Sequence, residues 1–224
     1  MPTELDHIFI CASRDANAEA ACLIAFGLTE GAPNTHPGQG TACRRFFFRN
    51  AYLELLWVSD PMEAQSEMVR RTRLWERWTR RADGACPFGF GLRPGTQEIG
   101  SPPFADWEYR PPYLPEPSSI QVAQNSDVLT EPMLFHLPFA RRPDTRPNDT
   151  RQPLAHTAGL REISSIKLVS PYAARLSAEL ATLTKAGLVQ MRDGPEYLIE
   201  LGFDGKPQGQ KADFRPTLPL VFHR

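Results

Sequence analysis

The chain has 224 residues, with 25 Lys+Arg against 26 Asp+Glu, a net charge of −1 and a pI near 6.5. That balance offers no basic footprint for neutralising phosphates, which argues against a nucleic-acid binder, and no polybasic anchor or acidic tail. With 41% hydrophobic and 10% aromatic residues the chain holds enough apolar side chain for a sizeable core, and its length fits one domain or two small ones.

Proline departs from average usage. There are 22, and half of them fall between Pro102 and Pro153, which marks an irregular middle segment and not a low-complexity chain. No apolar run reaches the roughly 18 residues a membrane helix needs. The start, Met1-Pro2-Thr3-Glu4-Leu5-Asp6, lacks a basic stretch followed by an apolar one, so a cytoplasmic protein is expected. Cys11, Cys22, Cys43 and Cys86 show no C-x-x-C spacing and are expected as reduced thiols.

In chain order, Leu5 to Cys11 alternates as a strand, with Ile8 and Ile10 on one face and His7, Phe9 and Cys11 on the other. Ser13 or Asp15 caps an Ala-rich helix that Gly27 ends after Phe26. Pro33 to Gly40 is a turn-rich loop, and Thr41–Arg49 with Ala51–Val58 spells a hairpin. Asp60-Pro61 opens a long predicted helix to about Ala82, with Leu74, Trp75 and Trp78 as its apolar stripe and Arg70, Arg71, Arg77, Arg80 and Arg81 toward solvent. Phe88–Arg93, Trp107–Tyr109, Ile120–Gln124 and Met133–Phe139 are strand candidates. After a polar linker over Arg141–Pro153, Ile163–Val169 reads as a strand and Pro171–Ala186 as a helix that Gly187 ends. Leu188–Arg192, Tyr197–Phe203 and Leu218–Phe222 are further strands.

Two stretches share one order. LDHIFICAS…AFGL resembles ISSIKLVSP…KAGL, and YLELLWV resembles EYLIELGF, so duplicated modules are expected, with Glu54 matched to Glu200. On the YLELLWV strand Leu53, Leu55 and Trp57 share one face, and Tyr52, Glu54 and Leu56 the other. A carboxylate inside so apolar a strand is costly if buried alone, so Glu54 wants a metal, a cation or a ligand as partner.

LDHIF near the N-terminus, the H-x-G-Q-G-T run from His36 to Thr41 and the YLEL strand resemble the glyoxalase-like domain family of the vicinal oxygen chelate superfamily (glyoxalase/bleomycin resistance/dioxygenase). The segments PFGFGLRP and PMLFHLPF resemble its second module. The resemblance implies an α+β fold of tandem βαβββ modules that form a curved mixed sheet around a concave cleft, helices outside. It divides the chain into an N-terminal module over 1–60, a linking helix over 61–83, a shortened proline-rich second module over 84–150 and a C-terminal βαβββ-like half-module over 151–224.

The resemblance also implies a divalent metal (Zn, Mn, Ni or Fe) held by a first-strand His and a last-strand Glu from each module. His7 and Glu54 match the first pair. No His stands in the first strand of either candidate second module, where the sequence offers Phe88 and Gly89, or Ser164 and Ser165. His136 lies near the place of the second last-strand Glu and would complete a set of His7, Glu54 and His136. If the C-terminal module closes the site instead, Glu200 takes that place. Glu200 is also the candidate proton carrier. His36 is expected at the pocket rim and Trp107 in its lining. Of Arg44 and Arg45, alternation turns one inward, where a cation beside a metal suits an anionic or carbonyl substrate.

The activity implied is lyase, isomerase or dioxygenase chemistry on a small oxygenated molecule whose vicinal oxygens chelate the metal. The alternative is a metal-free protein of the same fold that sequesters a small molecule in an aromatic pocket of Phe46, Phe48, Phe88, Phe90 and Trp107. The expected partner is a small molecule, with no nucleic acid and no membrane, and a homodimer is allowed. The proline-rich 102–153 segment is expected either to rim the cleft or to wrap the surface.

Overall fold

The computed structural model describes residues 3–95, 101–205 and 209–224. Its first module comprises β1 (Thr3–Cys11), α1 (Asn17–Phe26), β2 (Asn34–His36), β3 (Thr41–Phe47) and β4 (Tyr52–Val58). β1 lies parallel to β4, and β3 runs antiparallel to both β4 and β2. α2 (Pro61–Ala64) and α3 (Leu74–Thr79) lead to β5 (Phe88–Pro94), β6 (Asp106–Tyr109), β7 (Ile120–Ala123) and β8 (Met133–His136). These strands repeat the connectivity of the first module, with β5 parallel to β8 and β7 antiparallel to β6 and β8. The modules join through antiparallel β1 and β5, which gives one curved mixed sheet of eight strands in the order β2-β3-β4-β1-β5-β8-β7-β6. The α+β architecture expected from the sequence is therefore present.

The repeat read between residues 5–58 and 163–203 is not the one this sheet uses. β9 (Ile163–Ser170), α4 (Ala178–Lys185), β10 (Gln190–Asp193), β11 (Leu198–Phe203), β12 (Lys211–Asp213) and β13 (Leu220–His223) form a separate five-stranded sheet in the order β10-β9-β11-β13-β12. β11 runs antiparallel to β9, whereas β4 runs parallel to β1, so Glu200 and Glu54 are not equivalent. Their shared Leu/Ile-Glu-Leu pattern is the period-two alternation that any strand with one buried face requires.

The long helix expected over 60–82 is two short ones. Asp60 caps α2 by accepting from the N–H groups of Met62 and Glu63. The chain then turns, and Arg73 takes a left-handed φ of 57° just before α3. The buried positions here are Ala64, Val69, Thr72, Leu74 and Arg77, a spacing that no single helix face provides. Arg77 accordingly points inward and not to solvent. It is fully buried and donates to the carbonyls of Ser126, Val128, Leu129 and Glu131, satisfying a loop that has no strand partner of its own.

The main core lies on the convex side of the eight-stranded sheet. Ile8, Ile10, Leu53 and Leu55 meet residues of α1, α4 and the five-stranded sheet in one continuous cluster. Each such side chain, fully buried, contributes roughly 1.5–3 kcal/mol. Phe46, Phe48, Phe88 and Phe90 belong to this cluster, so they do not form the aromatic ligand pocket expected of them. Phe48 meets Phe203 with ring centroids 4.9 Å apart, and the Asn50 side chain bonds both backbone groups of Ile163. The four cysteines are free thiols. No helix among the described residues is long and apolar enough to cross a membrane.

Two histidines are held neutral by this burial. His156 accepts from the Thr29 N–H at 2.9 Å and donates to the Phe47 carbonyl at 2.9 Å, while His136 is fully buried with neither ring nitrogen hydrogen-bonded. Burial lowers both below the usual 6.5, in His156 against the opposing effect of the Phe47 bond. The unfolded chain therefore binds protons that the folded chain refuses. Stability should be full above pH 6.5 and fall as the pH drops below it, by up to about 1.4 kcal/mol per pH unit for each histidine. Urea-unfolding free energies measured across that window should show this slope. His136→Leu should flatten it by about one proton's share, and an unchanged slope would contradict the assignment.

Candidate functional site

The concave side of the eight-stranded sheet holds a cleft of about 830 Å3, counting its open mouth. Register places its floor. Phe9, Glu54 and Arg45 lie in one row across β1, β4 and β3, and His7, Tyr52 and Phe47 in the next. Glu54 is 5% exposed, so its carboxylate depends on protein partners.

His7 is the nearest of them. Its Nε2 lies 3.4 Å from Glu54 Oε2, and its Nδ1 lies 2.8 Å from Asp6 Oδ1. Neighbours in a regular strand point to opposite faces, but β1 carries a register shift between Leu5 and His7 where it pairs with β5. That bulge lets the Asp6 carboxylate reach the His7 ring. Arg93 in turn approaches Asp6 Oδ2 at 3.7 Å while bonding Glu4 at 2.7 Å. Tyr52 stacks on the His7 imidazole at 4.5 Å, which fixes the ring plane. His7 thus stands between two carboxylates, with Nδ1 on Asp6 and Nε2 on Glu54. A ring nitrogen and a carboxylate oxygen at that distance share either a proton or a cation.

His36 and Cys43 converge on the same carboxylate. The donor atoms of His36, Cys43 and Glu54 all lie within 4.8 Å of one another. His36 Nδ1 contacts Thr41 Oγ1 at 2.9 Å, and Nε2 meets the Asn34 amide at 3.1 Å. Gln39 donates to the same Thr41 hydroxyl and accepts from Tyr109 OH, so the ring is anchored through both modules. Burial lowers the His36 basicity, which the Glu54 charge opposes. The Cys43 thiol is pushed well up, first by burial, then by the charge of Glu54 and the hydrogen bond to it. The thiol thus keeps its proton beside the carboxylate.

The second module supplies the opposite wall, and it is apolar. β1 and β5 pair with Ile8 opposite Phe90, so the approximate two-fold between the modules sets His7 against Gly89. Through the β4 and β8 registers it sets Glu54 against Phe135. The positions of the second ligand pair are thus a glycine and a phenylalanine. His136 is one residue past the Glu-equivalent place, and that single step turns it to the other face of β8, away from His7 and Glu54. Glu200 lies on the five-stranded sheet, where it bonds Lys167 at 3.2 Å and His223 at 2.9 Å. Burial raises its carboxyl, but these two partners outweigh that and the net shift is downward.

Of the arginines, Arg45 lines the cleft. Arg44 points out and is held bidentately by Glu30 at 2.6 Å. Trp107 is not in the lining. Arg71 covers its ring at 4.3 Å and its indole N–H reaches Ser126. His36 does line the cleft, under the ring of Tyr113 at 4.7 Å. The proline-rich segment therefore contributes to the rim, through Tyr109, Tyr113 and Leu114. Sequence reasoning placed Tyr52 on the Glu54 face without giving it a role, and it missed Asp6, Cys43 and Phe135. Alternation from Arg45 back to Cys43 would have found one of these three.

A metal has a fitting donor set here. Donors about 2.1 Å from one tetrahedral ion stand roughly 3.4 Å apart, the separation found between His7 Nε2 and Glu54 Oε2. The Asp6–His7 pair is the carboxylate–histidine support that metal-binding imidazoles usually have.

Residues 5–94 match the glyoxalase-like domain family. The glyoxalase-like match covers β1 to β5 and so includes His7, His36, Cys43 and Glu54. It supports the vicinal oxygen chelate reading without fixing a reaction. No curated protein matches the chain in sequence. Among solved structures, a hypothetical protein from Staphylococcus aureus aligns over 100% of this chain and 99% of its own, with a TM-score of 0.55 and 11% identity. That likeness concerns the fold alone and spans both sheets. A hypothetical protein from Bacillus halodurans C-125 covers 60% of this chain and 93% of its own, at a TM-score of 0.38 and 12% identity.

The cleft leaves no room beneath His7. A Cβ on Gly91 would stand 2.6 Å from His7 Cε1 and 2.8 Å from Nδ1. Gly91→Ala should therefore push the ring off Asp6 at a cost of about 1–3 kcal/mol. The imidazole NMR signals of His7 should lose the hydrogen-bonded Nδ1–H signature. A spectrum identical to wild type would show that the ring has space to spare.

Proposed function

We propose that the cleft is the site of a metal-dependent enzyme acting on a small oxygenated molecule, with His7 and Glu54 as ligands and His36 and Cys43 as the further donors beside Glu54. The observation that carries this reading is the pair of potential ligand atoms facing one another across 3.4 Å, His7 Nε2 and Glu54 Oε2, with His7 Nδ1 already engaged by Asp6. His36 replaces His136 in the expected set of two histidines and one carboxylate, a donor set that suits Zn, Mn, Ni or Fe. A divalent ion bound there supplies Lewis acidity to a substrate oxygen. Cys43, whose thiol burial and the Glu54 charge keep protonated in the metal-free chain, lies beside Glu54 as a further donor. Tyr52 and Asp6 keep the His7 ring in one orientation. Tyr113 and Leu114 line the cleft on the side of the proline-rich segment.

Plasma mass spectrometry on tag-free, chelator-free protein tests this directly. One of these metals should be present at near-stoichiometric level in the wild type and lost in His7→Ala and Glu54→Ala, whose circular dichroism should stay unchanged. A wild-type chain that retains none of them after incubation with each would overturn the proposal.

A second reading has its own support. The Gly89 and Phe135 positions remove half of the family's ligand set, as a metal-free sequestering protein would allow. Tight small-molecule binding that survives chelation, in a chain without retained metal, is its expected signature.

A further inference from the structure

The cleft is divided by chemistry. The first module's wall carries His7, His36, Gln39 and Glu54, and the second module's wall carries Met133, Phe135, Leu137 and Phe139. Arg45 is the cation of the lining. Its guanidinium donates from Nε to the Ala32 carbonyl at 2.9 Å and from Nη2 to the Pro33 carbonyl at 3.3 Å, and it lies 5.2 Å from the Phe47 ring centroid. These contacts orient the group without neutralising it. Among the described residues Arg45 forms no ion pair, although its β4 neighbour in register is Glu54. Glu54 is turned instead to His7, while Arg44, one residue away, is fully matched by Glu30. Arg146 places a second guanidinium 5.5 Å from the same Phe47 ring. An oriented cation without a carboxylate partner, in a cleft whose second wall is apolar, is a subsite for an anion.

We propose that the cleft takes amphipathic carboxylates. These are molecules with an aryl or alkyl body and a carboxylate beside an oxo or hydroxyl oxygen, the carboxylate on Arg45 and the body against Phe135 and Leu137. The position of the second oxygen rests on the metal reading above, but the acid–arginine pairing does not. A cleft of this size suits a small molecule with most of its surface buried. A neutral ligand of the same shape would leave the arginine desolvated and unpaired, which disfavours it.

Calorimetric titration of the full chain with phenylpyruvate, with its neutral counterpart 1-phenyl-2-propanone and with pyruvate tests the proposal. Each is run on metal-loaded and on chelator-treated protein. Phenylpyruvate should bind at least about tenfold tighter than either comparison compound, the margin of one charge-assisted bond or of one buried ring. Arg45→Met should erase its advantage over the ketone, and Arg45→Lys, which keeps the charge, should retain part of it. Phe135→Ala should bring phenylpyruvate toward pyruvate. Equal binding of acid and ketone, an unaffected Arg45→Met, or no binding of any of the three would overturn the proposal. A chain that holds no metal but still selects the acid through Arg45 would sink the metal reading and leave this one standing. A metal-replete chain that does not select the acid would do the reverse.

Discussion

A carboxylate on the floor of an apolar cleft organises this molecule. Glu54 is 5% exposed, and an ionised group so placed is tolerated only where hydrogen bonds and opposite charge replace water. Those replacements come from separate strands. His7 arrives from β1, Cys43 from β3 and His36 from β2, and the curvature of the sheet brings the edge strand close enough to share one oxygen pair. The bulge at Asp6 is part of the same solution, because His7 serves Glu54 in one orientation only and Asp6 sets it. Arg93 approaches the Asp6 carboxylate from behind.

How much of this could be read from sequence follows from periodicity. β1 and β4 alternate strictly, so the side of the sheet on which His7 and Glu54 stand was legible, and so was the inward turn of one of the two adjacent arginines. What depended on a one-residue offset was not legible. MLFH offers a histidine and a phenylalanine side by side, and only the pairing with β5 decides that Phe135 faces the cleft and His136 the core. Asp6 was invisible because its contact needs an irregularity that composition does not announce. The helix over 60–82 failed for another reason. Arginine is usually a surface residue, and Arg77 is drawn inside by four carbonyls contributed some fifty residues away. Glu200 was misplaced because alternation makes all half-buried strands look alike, while parallel or antiparallel pairing is a property of the connection and not of the strand.

The two faces of the eight-stranded sheet have different work. The concave face keeps its polar groups near the first module, and the convex face is closed by α1 and by the five-stranded sheet. The C-terminal unit is also tied to the loop after β7. Ser177 donates twice to the buried Glu131 carboxylate, and Tyr197 bonds the Thr130 carbonyl. Arg77, on α3, grips the same loop, and Leu74 at the start of α3 lines the cleft. A chain of hydrogen bonds thus runs from the back of the molecule to one wall of the cleft, and no C-terminal residue among those described lines it.

The curved sheet stops short of closing into a barrel, so it has two free rims. β2 is three residues long and stands between Pro33 and Pro37, and β6 carries Asp106 and Glu108 before Pro111 and Pro112. The five-stranded sheet ends likewise in short, charged strands, with Arg192 and Asp193 on β10 and Lys211 and Asp213 on β12. Rims of this kind make poor templates for another chain, because brevity, proline and charge each interrupt a hydrogen-bonded ladder. Copies of this protein are thereby discouraged from joining edge to edge, although the half-barrel is left open.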